Sequence, residues 1–504
     1  MPKSVKVLVM RVRKIKTGSG KFALQVVSGV SGNLKIHKHI GSYSNKFEME
    51  SLLGKAKDYI EAKSGQENLF SNISNLNFSE IAILESKPLF AYNFLSSIYS
   101  RLGFDKFGDE VLKDLVIARI FAPSSKNEAR DFLFDSFERK YSLKTIYRHL
   151  KDTFDDRFKE FIQDKLIDFA KKDLGDSLRL ILYDVTTLYF DSQAKVGLKD
   201  FGFSKDHRPS DTQVVVGLVT NKDGFPLYFD VFKGNTFEGH TFLVTIEKVI
   251  KLLNNPKIIV VADAGMLSKI NIEDLDKRSI GFIVGARVSN LPATLINKVS
   301  KRLNKKDRKA SFFDYNNFRL VCQYLTTRAN KDKSDRQKQV QKAQNAINKP
   351  SEVTSRFRFL KKSDEEKYII NQDLILKSEK LEGIKGYITN TKLTKKEIIE
   401  KYHNLWRIEN CFRVTKSDLE ARPIFHHLDE TIKAHLVIVF AGLAITRFIE
   451  IKTNLSIKKV IKTISKVLTH KVKNIKTGEH THIETQIENP QLLKDLEIIK
   501  LIRH

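Results

Sequence analysis

Two aspartates at the ends of apolar runs have the side chains and positions for metal-dependent chemistry. Asp184 follows LRLILY and Asp263 follows KIIVVA, and both runs are typical of buried strands. A carboxylate there is costly unless it is paired, hydrogen-bonded or bound to a cation. Two strands that carry carboxylates to one sheet edge would suit a hard divalent cation. For each aspartate alone, capping of the following turn is an equal alternative.

Glu409 is the third candidate, because of its place in a predicted helix from about 395 to 416. Six residues recur there at steps of four and three, so they share one helix face: Ile398, Tyr402, Leu405, Glu409, Phe412 and Lys416. The face is mostly apolar, which predicts that Glu409 points toward the packed side of the helix. A structural ion pair with Lys416 is the alternative reading.

Together the three carboxylates have the composition of a two-metal site for phosphoryl transfer. Two Mg²⁺ ions, for which Mn²⁺ may substitute, can activate a water or a 3′-hydroxyl and stabilise the leaving oxygen of a phosphodiester. Four other aspartates lie in polar, loop-like sequence and rank lower: Asp191, Asp200, Asp206 and Asp211. The histidines at 240, 426 and 427 favour surface or DNA contact over a metal site.

Charge points to the same substrate class. The 504 residues include 88 Lys and Arg against 60 Asp and Glu, a net charge of +28, so a polyanion such as nucleic acid is the expected partner. Two cysteines exclude a disulfide framework and a cysteine-built zinc site. The N-terminus lacks a signal-peptide pattern and the longest apolar run is too short to span a bilayer. We therefore expect a cytoplasmic, nucleoid-associated protein with no membrane partner.

The chain that must position these residues divides by composition into six segments. We predict a basic strand-plus-helix module over 1–75, a helical DNA-binding region over 76–175, α/β sequence with a mixed sheet over 176–290, a lysine-rich and poorly patterned insertion over 291–367, renewed α/β sequence over 368–452, and a basic C-terminal region over 453–504. The helical region suits a helix-turn-helix, although a plain bundle with solvated lysines is favoured.

Several ordered motifs resemble one protein family. YHNLWRIENCFRVTK is similar to the Y-x2-R-x3-E-x6-K signature of bacterial insertion-sequence DDE transposases of the IS-four superfamily. Tyr402, Glu409 and Lys416 match it, and Leu405 stands at the arginine position. YDVTTLYFDS, PLYFDVFKGNTFEGHT, VADAGMLS and LEARPIFHHLDETIKAH resemble the IS-sixteen-thirty-four branch.

This resemblance implies an RNase H-like catalytic core with an insertion between the second and third carboxylates. Asp184, Asp263 and Glu409 would be the catalytic and metal-binding triad, while Tyr402, Arg407, Arg413 and Lys416 are the candidate DNA contacts. A homodimer would join two transposon ends to target DNA. Two alternatives stay open, a Mg²⁺-dependent nuclease without strand transfer and an inactive DNA-binding descendant of a transposase.

Overall fold

The computed structural model describes most of the chain. The described residues are 10–17, 22–28, 34–43, 48–49, 52–56, 59–60, 81–152, 156–174, 178–254, 257–266, 269–347, 357–363, 368–485 and 489–500. Within the strand-plus-helix module predicted over 1–75, residues 48–49, 52–56 and 59–60 are helical, whereas 1–9 and 61–75 lie outside the described residues.

The strands and helices alternate from about residue 180 onward, as the sequence predicts. The strands are β1 Met10–Lys16, β2 Phe22–Ser28, β3 Lys35–Tyr43, β4 Ile81–Lys87, β5 Leu180–Tyr189, β6 Gln213–Asn221, β7 Pro226–Lys233, β8 Ile259–Ala262, β9 Gly281–Ala286, β10 Ala310–Tyr315, β11 Phe318–Tyr324, β12 Leu360–Lys362, β13 Tyr368–Ile370, β14 Ile384–Thr389, β15 Thr469–Asn474 and β16 His480–Glu484. The helices are α1 Leu89–Arg101, α2 Glu110–Phe121, α3 Lys126–Phe137, α4 Leu143–Asp152, α5 Arg157–Asp173, α6 Glu238–Leu253, α7 Lys269–Lys277, α8 Ala293–Leu303, α9 Thr326–Ile347, α10 Gln372–Leu381, α11 Lys395–His403, α12 Leu405–Arg413, α13 Asp429–Thr453, α14 Ile457–Ile464 and α15 Pro490–Lys500.

One eight-stranded mixed sheet organises the larger of two compact units, which comprises residues 87–469 and 484–504. Its strand order is β10-β11-β14-β9-β8-β5-β6-β7. β5, β8 and β9 run parallel, and the other neighbours are antiparallel. β6 is buried at every residue, which explains the apolar run Val214–Val219 within it.

Helices flank this sheet. On β5, odd and even side chains alternate between the two faces. Tyr183 hydrogen-bonds Thr241 of α6 at 2.7 Å, whereas Thr186 and Leu188 line a cavity with Phe412 of α12. The mixed sheet between helices confirms the predicted α/β class.

The smaller unit comprises residues 1–86 and 470–483. It holds the antiparallel sheet β1-β2-β3 and a second three-stranded sheet of order β16-β15-β4. Strand β4 lies within the region predicted to be helical, so the helices of that region begin at Leu89. The basic C-terminal region, whose secondary structure the sequence left open, contributes strands to this unit and helices to the larger one.

The lysine-rich stretch is more regular than the sequence predicts. Strands β10 and β11 extend the central sheet, and α9 is a helix of 22 residues. The expectation that 291–367 is a poorly patterned insertion beside the core therefore needs correction over these elements. Backbone pairing with β14, six residues long, supplies the order that side-chain periodicity did not reveal.

α13 is long and apolar enough to cross a membrane by length and composition, but 89% of its apolar window is buried inside the protein. It packs against α2 and β7. A helix that is apolar all round and enclosed by protein is a core helix.

Candidate active site

Asp184 interrupts a strand whose neighbouring residues are all buried. It lies in the middle of β5, and its side chain is 18% exposed. Burial, more than any other cause, raises the pKa of this carboxyl from 3.8 to about 6, and the charges of Asp263 and Glu238 add to the rise. The backbone N–H of Val185 and the Lys205 ammonium act in the opposite direction. The structure therefore holds an unusually basic carboxyl group at this position.

Asp263 lies beside Asp184 because their strands are parallel neighbours. Tyr183 of β5 is the register partner of Ala262 of β8, and an aspartate follows each of these two residues in the sequence. Asp263 is exposed, and its Oδ1 accepts a hydrogen bond of 2.7 Å from the hydroxyl of Tyr402. The two predicted carboxylates are thus adjacent, but only Asp263 lies at a strand end as predicted, because β5 continues to Tyr189 beyond Asp184.

Glu409 lies on α12, but it does not point toward packed side chains. It is exposed, which corrects the prediction made from the helical face, although Ile398, Tyr402, Leu405 and Phe412 are buried as that face requires. The predicted single helix is interrupted at Asn404, which ends α11 and precedes α12. A π-helical turn, Val414–Asp418, then follows α12 and changes the facing of the residues beyond it.

Glu409 and Asp263 act electrostatically on the same two residues, Tyr402 and Lys385. The negative charges of both residues raise the pKa of Tyr402 above its ordinary value, although burial is the largest cause. Both charges also act on Lys385 of β14, whose pKa burial lowers overall. Nζ of Lys385 lies 4.7 Å from the centre of the Tyr402 ring. Sequence reasoning missed Lys385, which follows no motif and is brought here only by the pairing of β14 with β9.

A lysine bridges two carboxylates next to the aspartate pair. Nζ of Lys205 lies 3.0 Å from Oε1 of Glu238 and 3.8 Å from Oδ1 of Asp184, and it donates to the carbonyl oxygen of Val185 at 2.5 Å. Glu238 is the first residue of α6. Sequence reasoning missed both residues. The signal for Glu238 was its position within the family-like segment PLYFDVFKGNTFEGHT.

Lys416, predicted to contact DNA, is held by an acidic partner. Its ammonium lies 3.0 Å from Oδ1 of Asp206, and its side chain is 12% exposed. The guanidinium of Arg422 pairs with the other oxygen of the same carboxylate. The predicted ion pair of Lys416 with Glu409 is therefore replaced by one with Asp206, a residue that ranked low as a metal ligand.

The other two DNA-contact candidates bind groups outside the predicted carboxylate triad. Arg407 directs its Nη1 to the carbonyl oxygen of Asp223, 3.4 Å away in the β6–β7 turn. Arg413 pairs with Asp418 at 3.1 Å, and its side chain is 53% exposed. Leu405, at the arginine position of the signature, is 7% exposed and belongs to the hydrophobic core, so it has no route to a phosphate.

The arrangement has the donor chemistry for a hard cation, although the ligands are not gathered. Among the residues that the structure describes, no three acidic, histidine or cysteine side chains lie close enough to hold one metal ion. Asp184 and Asp263 supply oxygen donors on adjacent strands, as Mg²⁺ prefers. The ammonium of Lys205 lies beside Asp184, where it offsets the negative charge that a metal ion would otherwise offset. The residues therefore fit a divalent ion once Lys205 withdraws and Glu409 approaches.

Comparison with known proteins gives a matching family model and several similar solved structures. A family model described as "Transposase DDE domain" matches residues 177–445, just over half of the chain. The chain is also similar to a structure described as "Cryo-EM structure of piggyBac transposase synaptic complex with hairpin DNA", at 8% identity and a TM-score of 0.37. That match covers 75% of this chain and 69% of the other, and such a score does not establish a shared fold. No curated protein matches the chain.

Proposed function

The chain belongs to the Transposase DDE domain family, and from this premise we propose that it is the transposase of an insertion sequence. It binds the terminal inverted repeats of its element, cuts the 3′ ends and joins them to target DNA. The carboxylates that act are Asp184, Asp263 and Glu409. The matched residues contain all three, together with Tyr402 and Lys416.

The sheet supports an RNase H-like core. Strands β5, β6, β7, β8 and β9 lie in the order β7-β6-β5-β8-β9, with β6 antiparallel to β5 and with β8 and β9 parallel to it. Asp184 is on the first of these strands and Asp263 follows the fourth. These are the positions that the family resemblance assigns to the first two carboxylates.

The observation that carries the proposal is the pairing of Asp184 with Asp263 on adjacent parallel strands. With Glu409 they would hold two Mg²⁺ ions, or Mn²⁺, which supply an activated water or 3′-hydroxyl and stabilise the leaving oxygen. Tyr402 fixes the orientation of Asp263 through its hydroxyl. Glu409 has no hydrogen-bond or ion-pair partner among the described residues, so it is free to approach them.

The basic residues around the site have distinct parts in this proposal. Lys205 offsets the charge of Asp184 and Glu238 before the site is loaded. Lys385 lies where a phosphodiester beside Asp263 and Glu409 would meet a positive charge. Lys416, Arg407 and Arg413 contact the DNA backbone. For Lys416 this requires that its ammonium leave Asp206 and bind a phosphate instead. The net charge of +28 favours duplex DNA as partner, with two copies of the chain holding two ends.

The test is a cleavage assay on DNA that carries the terminal repeats of the element. We expect the purified chain to produce a 3′-hydroxyl nick at the element boundary with Mg²⁺ or Mn²⁺ and none with chelator. Glu409→Gln should abolish the nick while DNA binding persists. Glu400→Gln, an exposed glutamate on the neighbouring helix α11, is the matched control and should cut as wild type does.

Two results would redirect the proposal. Boundary nicking without joining to a target plasmid would favour a nuclease of the same fold. Binding to the repeats without a nick in any metal would favour a DNA-binding descendant. Full cleavage by Asp184→Ala would refute the assignment of the first carboxylate.

A further inference from the structure

One helix of the helical region has a strongly basic outer face. The inner side of α4 buries Ile146 and Leu150, and the helix packs against α2, α3 and α13. Four exposed residues on its outer side are spaced so that they share one helix face: Lys144, Tyr147, Arg148 and Lys151. We refer to these four residues as the α4 stripe.

The charges of the α4 stripe are not compensated within the part of the chain that the structure describes. None of its four members has a hydrogen-bond or ion-pair partner there, and the ring of Tyr147 is 44% exposed. Lys144 and Arg148 are one turn apart, a spacing at which like charges destabilise a helix. A polyanion bound to the stripe would remove this repulsion.

The preceding helix has the opposite charge on its exposed side. α3 exposes Glu128, Asp131 and Asp135 at helical spacing. Carboxylates in that position repel a phosphate backbone, whereas the cations of the α4 stripe attract it. Of these two consecutive helices, α4 is therefore the one suited to face DNA.

Two carboxylates at the beginning of α2 hold α4 in place. Oδ2 of Asp109 lies 2.9 Å from Nδ1 of His149 on α4. Asp114 accepts hydrogen bonds from Nε of Arg139 at 2.6 Å and from the hydroxyl of Tyr141 at 2.7 Å, both in the turn that precedes α4. The helix and its entry turn are thus fixed, so the outer side chains are presented in a defined arrangement.

The α4 stripe has suitable dimensions for the major groove of duplex DNA. That groove is about 12 Å wide and admits an α-helix. From Lys144 to Lys151 the helix advances about 10 Å, which corresponds to roughly three base pairs. Tyr147 and Arg148 lie in the middle of the stripe, where a helix in the groove approaches the base edges. The two lysines lie at its ends, nearer to the flanking phosphates.

We propose that α4 reads the terminal repeat from the major groove, which rests on the proposed transposase function. Arg148 donates two hydrogen bonds to O6 and N7 of a guanine, the contact that its planar guanidinium fits best. Tyr147 contacts a neighbouring base, and Lys144 and Lys151 hold phosphates on either side. The stripe thus assigns sequence recognition to the helical region, in place of a plain bundle with solvated lysines.

Competition binding of the full chain tests the reading residue. Wild type should bind a terminal-repeat duplex more tightly than an unrelated duplex of equal length. Arg148→Lys should lose about tenfold or more of this preference and keep the salt dependence, because lysine retains the charge but not the paired hydrogen bonds. Among single base-pair changes in the repeat, one G·C pair should matter to wild type and not to Arg148→Lys.

Lys151→Met tests the phosphate contact separately. It should weaken binding to both duplexes by the same factor and reduce the salt slope by about one. Lys172→Met removes an exposed lysine of α5 in the same helical region and is the matched control, which should keep the wild-type preference. All three positions are exposed, so each variant should unfold at nearly the wild-type temperature.

The outcomes separate this proposal from the proposed function. If wild type prefers the repeat and Arg148→Lys keeps the whole preference, α4 does not read bases, while the transposase function is unaffected. If wild type prefers neither duplex at any salt concentration, recognition of the ends fails and the role of α4 fails with it. Loss of cleavage in Glu409→Gln with an intact preference for the repeat would support both proposals independently.

Discussion

The hydroxyl of Tyr402 and the carboxylate of Asp263 are joined by a hydrogen bond of 2.7 Å across 139 residues of sequence. Tyr402 is buried, and its ring packs against Tyr387 with 4.8 Å between centroids. The ring is therefore fixed, and its hydroxyl fixes Asp263. The bond ties the signature helix to the end of β8.

Tyr402→Phe tests whether this bond matters for catalysis beyond its effect on stability. The substitution keeps the packed ring and removes the donor, so we expect a loss of about 1 kcal/mol in the free energy of unfolding. Because Asp263 would no longer be held, the cleavage rate should fall about tenfold or more. Single-turnover cleavage and denaturant unfolding measure the two effects.

Gly285→Ala tests the same hydrogen bond by crowding the hydroxyl of Tyr402. A Cβ atom at Gly285 would lie 2.5 Å from the Tyr402 hydroxyl, so the tyrosine would have to shift. Equal activity of this variant, of Tyr402→Phe and of wild type would show that the orientation of Asp263 is unimportant.

The free energy of unfolding of the wild type should decrease as the pH rises from 4 to 6, because of Asp184. Its carboxyl has a pKa raised from 3.8 to about 6, so within that window the folded chain binds more protons than the unfolded chain. Rising pH therefore destabilises the folded state until the carboxyl is ionised.

When a chelator keeps metal ions away, Asp184→Asn should remove this pH dependence of stability. Relative to wild type, the variant should be equally stable below pH 4 and more stable above pH 6, by up to about 3 kcal/mol. Urea unfolding at several pH values measures the difference. A stability difference that does not change with pH would contradict the assigned pKa.

Lys205→Met should strengthen divalent-ion binding in the absence of DNA. The ammonium of Lys205 lies 3.8 Å from Asp184 and 3.0 Å from Glu238, so it competes with any cation for these oxygens. We expect an affinity for Mn²⁺ about tenfold higher, measured from the free-ion signal in electron paramagnetic resonance. Lys222→Met, an exposed lysine in the β6–β7 turn, should not change it. Weaker binding by Lys205→Met would mean that Lys205 positions the carboxylates and does not compete with metal.

Asp114→Ala should strongly destabilise the helical part of the larger unit. Asp114 is fully buried and accepts hydrogen bonds from Tyr92 at 2.6 Å, Tyr141 at 2.7 Å and Nε of Arg139 at 2.6 Å. Its removal leaves these donors unpaired, with an expected cost of about 3 kcal/mol or more. Asp135→Ala, at an exposed position of α3, should change stability by less than about 0.5 kcal/mol. Comparable melting of the two variants would contradict this account.

The sequence by itself determined the α/β class, most strands of the larger unit and the two aspartates that follow apolar runs, Asp184 and Asp263. These follow from local signals, because apolar runs, turn residues and the aspartate after each run can be recognised from a few consecutive residues. The helix α11, with its Thr394–Glu397 capping box, is local in the same sense.

Only the tertiary structure decided which charges meet. Glu409 is exposed although the residues at its helical spacing are buried, and the placement of β10 and β11 in the sheet depends on pairing with β14. Lys205, Glu238 and Lys385 reach the carboxylates through three different elements, and Lys416 finds Asp206 across 210 residues. A surface charge costs little to place anywhere along a sequence, so its partner is decided by packing and not by local pattern.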